Sequence, residues 1–306
     1  MRIGALSFKG FRRTGRKLVL LLKSLMYLIR ASSLLPGRLF DRYGRMLGLR
    51  ILIAERKLHR LLLNPVSSVR YFEFDYVLKN MPELGVEAQI LDISSPYLFG
   101  FYLIEKYPAR YMYVNPDVRE AKEIGFVIDK VKRKGVHKFE SQDARNLSYS
   151  DETFDVVVCI SVIEHIDGDG DTQAMREMWR VLKPGGVMIL TFPVKPEFEE
   201  EYRKENVYNL DVGKKGGSYF FQRYYDQDAV ENRLYAALSE YRITSRAFYA
   251  EICPGFFSEY EKRWLKKGLA ETVKDPYLMD KNMKELGDFE SLSGMGVAGI
   301  TIEKSL

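Results

Sequence analysis

Two apolar runs separated by a helix and a glycine turn constrain this 306-residue chain more than any other feature. Phe154-Asp155 opens the first run, Val156–Ile160, and Ser161 and Glu164-His165 follow it. A helical segment over Thr172–Leu182 comes next, then the turn Lys183-Pro184-Gly185-Gly186, then the second run, Val187–Phe192. Short continuous apolar runs bounded by turn residues read as strands buried on both faces, and strand–helix–strand units build parallel sheets. Ligands of such sheets sit beyond the carboxyl ends of the strands. Asp143, which precedes the first run, and Ser161–His165, which follow it, fall at that edge.

The same logic extends in both directions. Ala88–Ile93, with Asp92 near its end, predicts strand one, and a helix over Leu98–Tyr107 follows. Tyr111–Val114 predicts strand two, ending at Asn115-Pro116-Asp117, with a helix over Val118–Ile124 behind it. Phe139-Glu140 predicts a short third strand just before Asp143-Ala144. Ile243–Tyr249 and Gly296–Ile302 supply strands six and seven. Asp171 or Thr172 is expected to cap the helix that begins there, since short polar side chains satisfy free backbone N–H groups at helix starts.

The segments FDVVVCISVIEHI and MWRVLKPGGVMILTFP, found together and in this order, resemble the class I, Rossmann-like S-adenosylmethionine-dependent methyltransferases. The resemblance covers residues 87–193 well and 219–251 with 295–304 loosely. It implies an α/β fold with a seven-stranded, mostly parallel sheet whose last strand is antiparallel and inserts beside strand six. It also implies S-adenosyl-L-methionine as cofactor. Asp92 and Ser94 would form the first turn, Asn115 would meet the ribose, Asp143 and Ala144 the adenine, and Ser161 and Glu164 the methionine and methyl-donor end. His165 is the candidate general base. One departure is plain. The family's first turn is acidic-x-Gly-x-Gly-x-Gly, and here Ser94, Pro96 and Leu98 occupy the glycine positions while Gly100 comes late. Proline also removes a backbone donor.

Other chemistries find less support. Nothing after strand one reads Gly-x-Gly-x-x-Gly, which disfavours a nicotinamide enzyme. Asp167-Gly168-Asp169-Gly170-Asp171 begins like a calcium loop, but the sixth position is Thr172 and the twelfth Met178, so the match fails. His59, His137 and His165 show no ligand spacing, and no metal is expected. The two cysteines, Cys159 and Cys253, are unpaired in pattern, which suits a reducing, cytoplasmic setting.

Charge divides the chain. Residues 1–60 hold 15 Lys/Arg and 2 acids, a net +13, while the remainder holds 32 basic and 40 acidic residues, a net −8. On a helix over 12–30, Leu18, Leu21, Leu22, Leu25, Met26 and Ile29 cover one side, and Arg13, Arg16, Leu20, Lys23, Tyr27 and Arg30 form a basic stripe opposite. The apolar stretch is too short to span a bilayer and lacks a small-residue cleavage site. Residues 1–35 therefore suit the interface of an anionic membrane, with peripheral association as the expectation. Packing of the same apolar side against the chain's own domain is the competing reading. Nucleic acid is disfavoured, because no stacking aromatics interleave the basic residues.

Residues 1–86 thus read as a basic helical extension and 87–306 as the methyltransferase-like domain. An aromatic-rich lid over about 197–295 includes Tyr202, Tyr208, Tyr219, Phe220, Phe221, Tyr224, Tyr225, Tyr249, Phe256, Phe257, Tyr260 and Trp264. Tyr219, Arg223 and Tyr224 are candidates to orient substrate. The acceptor expected is a small molecule, a sugar or a lipid-linked glycan intermediate. The glycine-poor first turn supports an alternative: a non-catalytic binding or scaffold protein with a degenerate methyltransferase fold.

Overall fold

The computed structural model describes residues 7–56, 58–117, 124–207 and 212–306, with side chains from residue 18 onward. The helix expected over Val118–Ile124 falls mostly outside the described residues, as does Tyr208, although 124–128 is helical. The chain forms two compact units, Met1–Tyr71 with Phe256–Met283, and Phe72–Gly255 with Lys284–Leu306. The first strand's domain therefore begins ahead of residue 86, and the segment Phe256–Met283 joins the amino-terminal helices.

The first unit contains α1 (Ser7–Arg30), α2 (Arg38–Glu55) and α3 (Arg60–Leu63), together with helices over Phe256–Lys267 and Asp275–Asn282. The expected aromatics Phe256, Phe257, Tyr260 and Trp264 lie on the first of these later helices, so they belong to this unit. The connection from α1 to α2 turns at Gly37, φ 69°, where an added Cβ would stand 2.2 Å from the Tyr71 carbonyl oxygen. Only glycine fits there. Buried carboxylates tie the unit together. Asp41 accepts from Arg45 Nε at 2.5 Å and from the Tyr71 hydroxyl at 2.7 Å. Asp275 accepts from the Tyr260 hydroxyl and from the Ser68 amide, both at 2.9 Å, and burial pushes its carboxyl up to about 8.

The side of α1 that packs inward is not the Leu-rich one. Ser24 and Ala31 are buried and Leu20 and Tyr27 half-buried, with the Ser24 hydroxyl donating to the Leu63 carbonyl and the Tyr27 ring 5.8 Å from that of Tyr277. Leu18, Leu22, Leu25, Met26 and Ile29 face outward. The internal-packing reading of the Leu/Met/Ile side fails for these residues. Part of the stripe read as basic, Leu20 and Tyr27, is instead the docking side.

The second unit is built on an eight-stranded sheet of order β10-β9-β11-β5-β4-β1-β2-β3. α4 (Arg70–Asn80) enters it from Phe72 onward, and β1 (Gln89–Ile93), α5 (Tyr97–Lys106), β2 (Arg110–Val114), β3 (His137–Glu140) and β4 (Phe154–Ile160) follow. α6 (Gly170–Val181), β5 (Leu182–Val194), β9 (Tyr241–Glu251), β10 (Met283–Leu286) and β11 (Gly296–Lys304) complete the sheet and its cover. β3, β2, β1, β4 and β5 pair in parallel, and β11 is antiparallel to both β5 and β9. This is the mostly parallel, Rossmann-like order with an inserted antiparallel last strand, extended by β10 as an eighth strand at one edge. The parallel strands are buried on both faces, as Val156, Val157, Val158, Cys159 and Ile160 show, and this is why they read as continuous apolar runs. Burial also pushes the Cys159 thiol up, which keeps it inert.

The chain runs outward from β1 to β2 and β3, then returns to place β4 on the other side of β1. That reversal is a topological switch point, where the crevice for a ligand opens. After β5, a separate three-stranded antiparallel sheet of order β6-β8-β7 forms from β6 (Glu199–Arg203), β7 (Lys214–Lys215) and β8 (Ser218–Tyr224).

Candidate active site

The residues singled out in the sequence fall in a row along the carboxyl edge of the sheet. Ser94 follows β1, Asn115 follows β2, Asp143-Ala144 lies three residues past β3, and Ser161 follows β4. Glu164-His165 sits on the single helical turn Ile163–His165 that continues from Ser161.

The first turn keeps its tightness without glycine. Ser94 adopts the left-handed backbone, φ 51°, and both its amide and its hydroxyl bond the Val114 carbonyl, at 2.9 and 2.8 Å. The Ser95 hydroxyl accepts from the Ile160 amide at 3.1 Å and so stitches the turn to the end of β4. Ser161 is likewise left-handed, φ 48°. Non-glycine residues in this region are uncommon and cluster where a binding site needs a particular turn.

Asp92 is not presented to a ligand. It is fully buried, accepting from the Ser95 amide at 2.9 Å and from the Tyr111 hydroxyl at 2.5 Å. Gly100 makes this possible, because a Cβ there would meet the Tyr111 oxygen at 2.1 Å. The late glycine of the motif thus makes room for a tyrosine plug and does not cradle a ligand. Burial raises the Asp92 carboxyl to about 6, against the lowering effect of its hydrogen bonds. Its folded value exceeds its unfolded one, so its contribution to stability is full below about pH 4, falls as pH rises to about 6, and is flat above that. We expect Asp92→Asn to lose this slope. In urea titrations at stepped pH, the variant should gain on the wild type between about pH 4 and 6 and stay level above. Parallel stability curves for the two proteins would exclude the buried acid as the source.

Other edge positions are engaged locally. Asn115 donates from Nδ2 to the Tyr113 hydroxyl at 3.1 Å and accepts from the Asp117 amide at 2.8 Å. Asp143 is chelated by Arg145, with contacts down to 2.6 Å, and that guanidinium holds its carboxyl below the ordinary carboxylate range. The pair is solvent-accessible on both sides, so an incoming donor can exchange with Arg145 at small cost.

At the β4 end, the buried Glu73 of α4 accepts from the Ser161 hydroxyl and, at 3.1 Å, from Thr191 of β5. Sequence reading missed Glu73. It lies 88 residues from Ser161, and its only local signal is a lone acid in the first turn of an otherwise aromatic helix. His165 is half-buried. Its Nδ1 stands 2.7 Å from the Phe221 carbonyl of β8, and its ring lies 5.2 Å from that of Phe221. A carbonyl only accepts, so Nδ1 carries the hydrogen and Nε2 keeps the lone pair of the neutral ring. Nε2 in turn stands 3.6 Å from the buried Glu164 carboxylate.

The acidic turn before α6 anchors the small sheet. Asp171 or Thr172 is the cap that the sequence predicts. Instead Asp169 occupies the cap position without a side-chain bond, and Asp171 is buried. Arg223 Nη1 of β8 meets Asp171 Oδ2 at 2.9 Å, Arg233 meets Oδ1 at 2.8 Å, and the Tyr225 hydroxyl donates to Oδ2 at 3.0 Å. Arg223 also donates to the Ile166 and Gly168 carbonyls. It is fully buried and structural, so the expectation that it orients substrate is corrected. Tyr224 is also buried, bonded to Gln222 and Glu201. Cations lie over other rings of the small sheet, Arg203 on Phe221 at 3.5 Å and Lys214 on Tyr219 at 4.5 Å. Among the described residues no cluster of His, Cys, Asp or Glu could hold a metal.

Sheet order and switch point together match the class I, Rossmann-like methyltransferase fold. Residues 101–190 match the family described as the methyltransferase domain, in keeping with S-adenosyl-L-methionine as cofactor. A demethylmenaquinone methyltransferase of Deinococcus radiodurans is 44% identical over 57 residues, 18% of this chain and 23% of that protein. A ubiquinone/menaquinone biosynthesis C-methyltransferase of Haemophilus ducreyi is 33% identical over 92 residues, 29% of this chain and 35% of that protein. The matched segments therefore span about a quarter to a third of these curated relatives. A putative methyltransferase from Bacillus halodurans superposes with a TM-score of 0.50 at 14% identity, over 76% of this chain and 99% of that one, a likeness of fold.

Proposed function

We propose that the chain transfers a methyl group from S-adenosyl-L-methionine to a small-molecule, sugar or lipid-linked acceptor reached from a membrane face. The observation that carries this reading is the methyltransferase-domain match over 101–190, which spans β2, β3, β4 and the first part of β5. Within that frame Ser94 forms the first turn against the cofactor, Asn115 meets the ribose, Asp143 and Ala144 the adenine, and Ser161 and Glu164 the donor end. The cofactor supplies an activated methyl group to an in-line displacement, for which proximity and alignment contribute much of the rate. His165 would accept the acceptor's proton at Nε2, its ring held by the Phe221 carbonyl and its positive charge stabilised by Glu164. The quinone-directed names of the two sequence relatives support a small planar acceptor, and the aromatic sheet β6-β8-β7 supplies ring faces for one.

The local satisfaction of Asp92, Asn115 and Asp143 favours one second reading, a binding protein with a degenerate site. Calorimetry with S-adenosylhomocysteine, and with NAD as control, separates the two. We expect micromolar-range affinity for the former, about −8 kcal/mol, and none for NAD. Asp143→Ala should weaken binding roughly tenfold by removing one charge-assisted hydrogen bond. No heat with S-adenosylhomocysteine in the wild type would favour the degenerate site. Unchanged affinity in Asp143→Ala would remove that residue from the pocket.

A further inference from the structure

The amino-terminal helices turn apolar surface outward on two elements. On α1, Leu18, Leu22, Leu25, Met26 and Ile29 recur at helical spacing and are exposed, Leu22 at 60% and Ile29 at 81%. On α2, Leu39, Met46, Leu49 and Ile53 form a second stripe of the same kind, Ile53 at 74%. Leu34, between the helices, is 87% exposed. Neither stripe is an accident of a loosely held helix. α1 is fixed by its opposite side through Ser24 and Tyr27, and Arg38 at the start of α2 donates to the Leu28, Ala31 and Ser32 carbonyls at the end of α1. Rolling α1 to hide its leucines would break all of these.

Basic residues border both stripes. Lys23 and Arg30 are exposed beside the first, and Arg42 and Arg56 are exposed along the second. Residues 1–60 as a whole carry net +13. A second copy of the chain would bring like charge against like, so self-association through this face is opposed. An apolar interior rimmed by negative charge is the chemistry that complements it, and among the described residues no helix is long and apolar enough to cross a membrane.

We propose that α1 and α2 together form a docking surface for an anionic lipid bilayer, with both apolar stripes entering the interface. This extends the contact well past residue 35, and it does not depend on methyl transfer, since vesicle binding is read without substrate or cofactor.

The test is co-sedimentation of the full chain with phosphatidylcholine vesicles and with vesicles containing phosphatidylglycerol. Wild-type protein should pellet with the anionic vesicles only, and less at about 500 mM than at about 50 mM salt, because the attraction is screened. The pairs Leu22→Ser/Ile29→Ser and Met46→Ser/Ile53→Ser should each cut partitioning at least roughly tenfold, since each removes two side chains from the interface. Melting temperatures should hold, because the replaced residues are exposed. Wild-type protein remaining in the supernatant at low salt would overturn the proposal. So would full binding by the Met46/Ile53 pair, which would confine the contact to α1. A dimer in lipid-free light scattering that the Leu22/Ile29 pair dissociates would also overturn it, by giving the face to a second copy.

Discussion

Replacing Ser94 with leucine should abolish binding of S-adenosylhomocysteine, while Ser94→Gly should leave it within about threefold of wild type, a difference of under about 1 kcal/mol. In the proposed site a ligand approaches the backbone closely at the turn after β1, where Ser94 takes a left-handed conformation that glycine would take freely. A leucine side chain would fill the approach. It would also lose the hydroxyl bond to the Val114 carbonyl, worth about 1 kcal/mol, so the variant should be modestly less stable as well. Glycine loses the same bond but relieves the backbone strain, and its stability should stay near that of wild type. Calorimetry reads the binding and urea unfolding reads the fold. Wild-type affinity in Ser94→Leu would show that the donor does not lie against this turn.

The largest effect on stability is expected at Asp171. This carboxylate is buried and faces Arg223, Arg233 and the Tyr225 hydroxyl. Removing one member of a buried ion pair leaves the other charge uncompensated and costs about 3–5 kcal/mol. Asp171→Ala leaves the Arg223 guanidinium, which has no exposed surface through which to recover hydration, with only the more distant Glu200 carboxylate at 3.8 Å. We expect a destabilisation in that range by chemical denaturation. Trypsin should cut first in the segment 199–224, since Arg223 is the tie between β8 and the turn before α6. The double variant Asp171→Ala/Arg223→Met, which removes both charges, should recover more than half of the loss. If Asp171→Ala costs under about 1 kcal/mol, the pair does not hold the small sheet in place.

These two sites mark how far the sequence could be read. β4 was legible to the residue, because a strand buried on both faces must be apolar throughout, and the mostly parallel sheet with its antiparallel last strand is what the family resemblance implied. β5 proved longer than its apolar run. The Lys183–Gly186 segment looks like a turn, yet Leu182 already pairs with Phe154. The row of edge residues was also legible, since a parallel sheet sends every loop after a strand to one side.

Partners distant in sequence were not legible. Asp171 reads as a helix cap because caps are local, while its cations lie 52 and 62 positions away on other elements. Asp92 reads as a ligand-facing acid because nothing nearby announces that Tyr111, admitted by Gly100, will cover it. Glu73 carries no sign of Ser161 at all. On α1 the sequence correctly separates two sides but cannot say which one the protein keeps. Ser24 and Tyr27 decide that, through contacts with α3 and with Tyr277.

The bond that holds His165 comes from the main chain of β8, not from a side chain. Residues 219 and 222 can therefore change identity, and with them the shape and polarity that the proposed site would offer an acceptor, while the same carbonyl goes on dictating which ring nitrogen is basic. Under the proposed function, specificity and proton transfer would be separable in this arrangement. A chain built this way can be turned toward a new acceptor by substitutions in one short strand, with its proposed base left as it was.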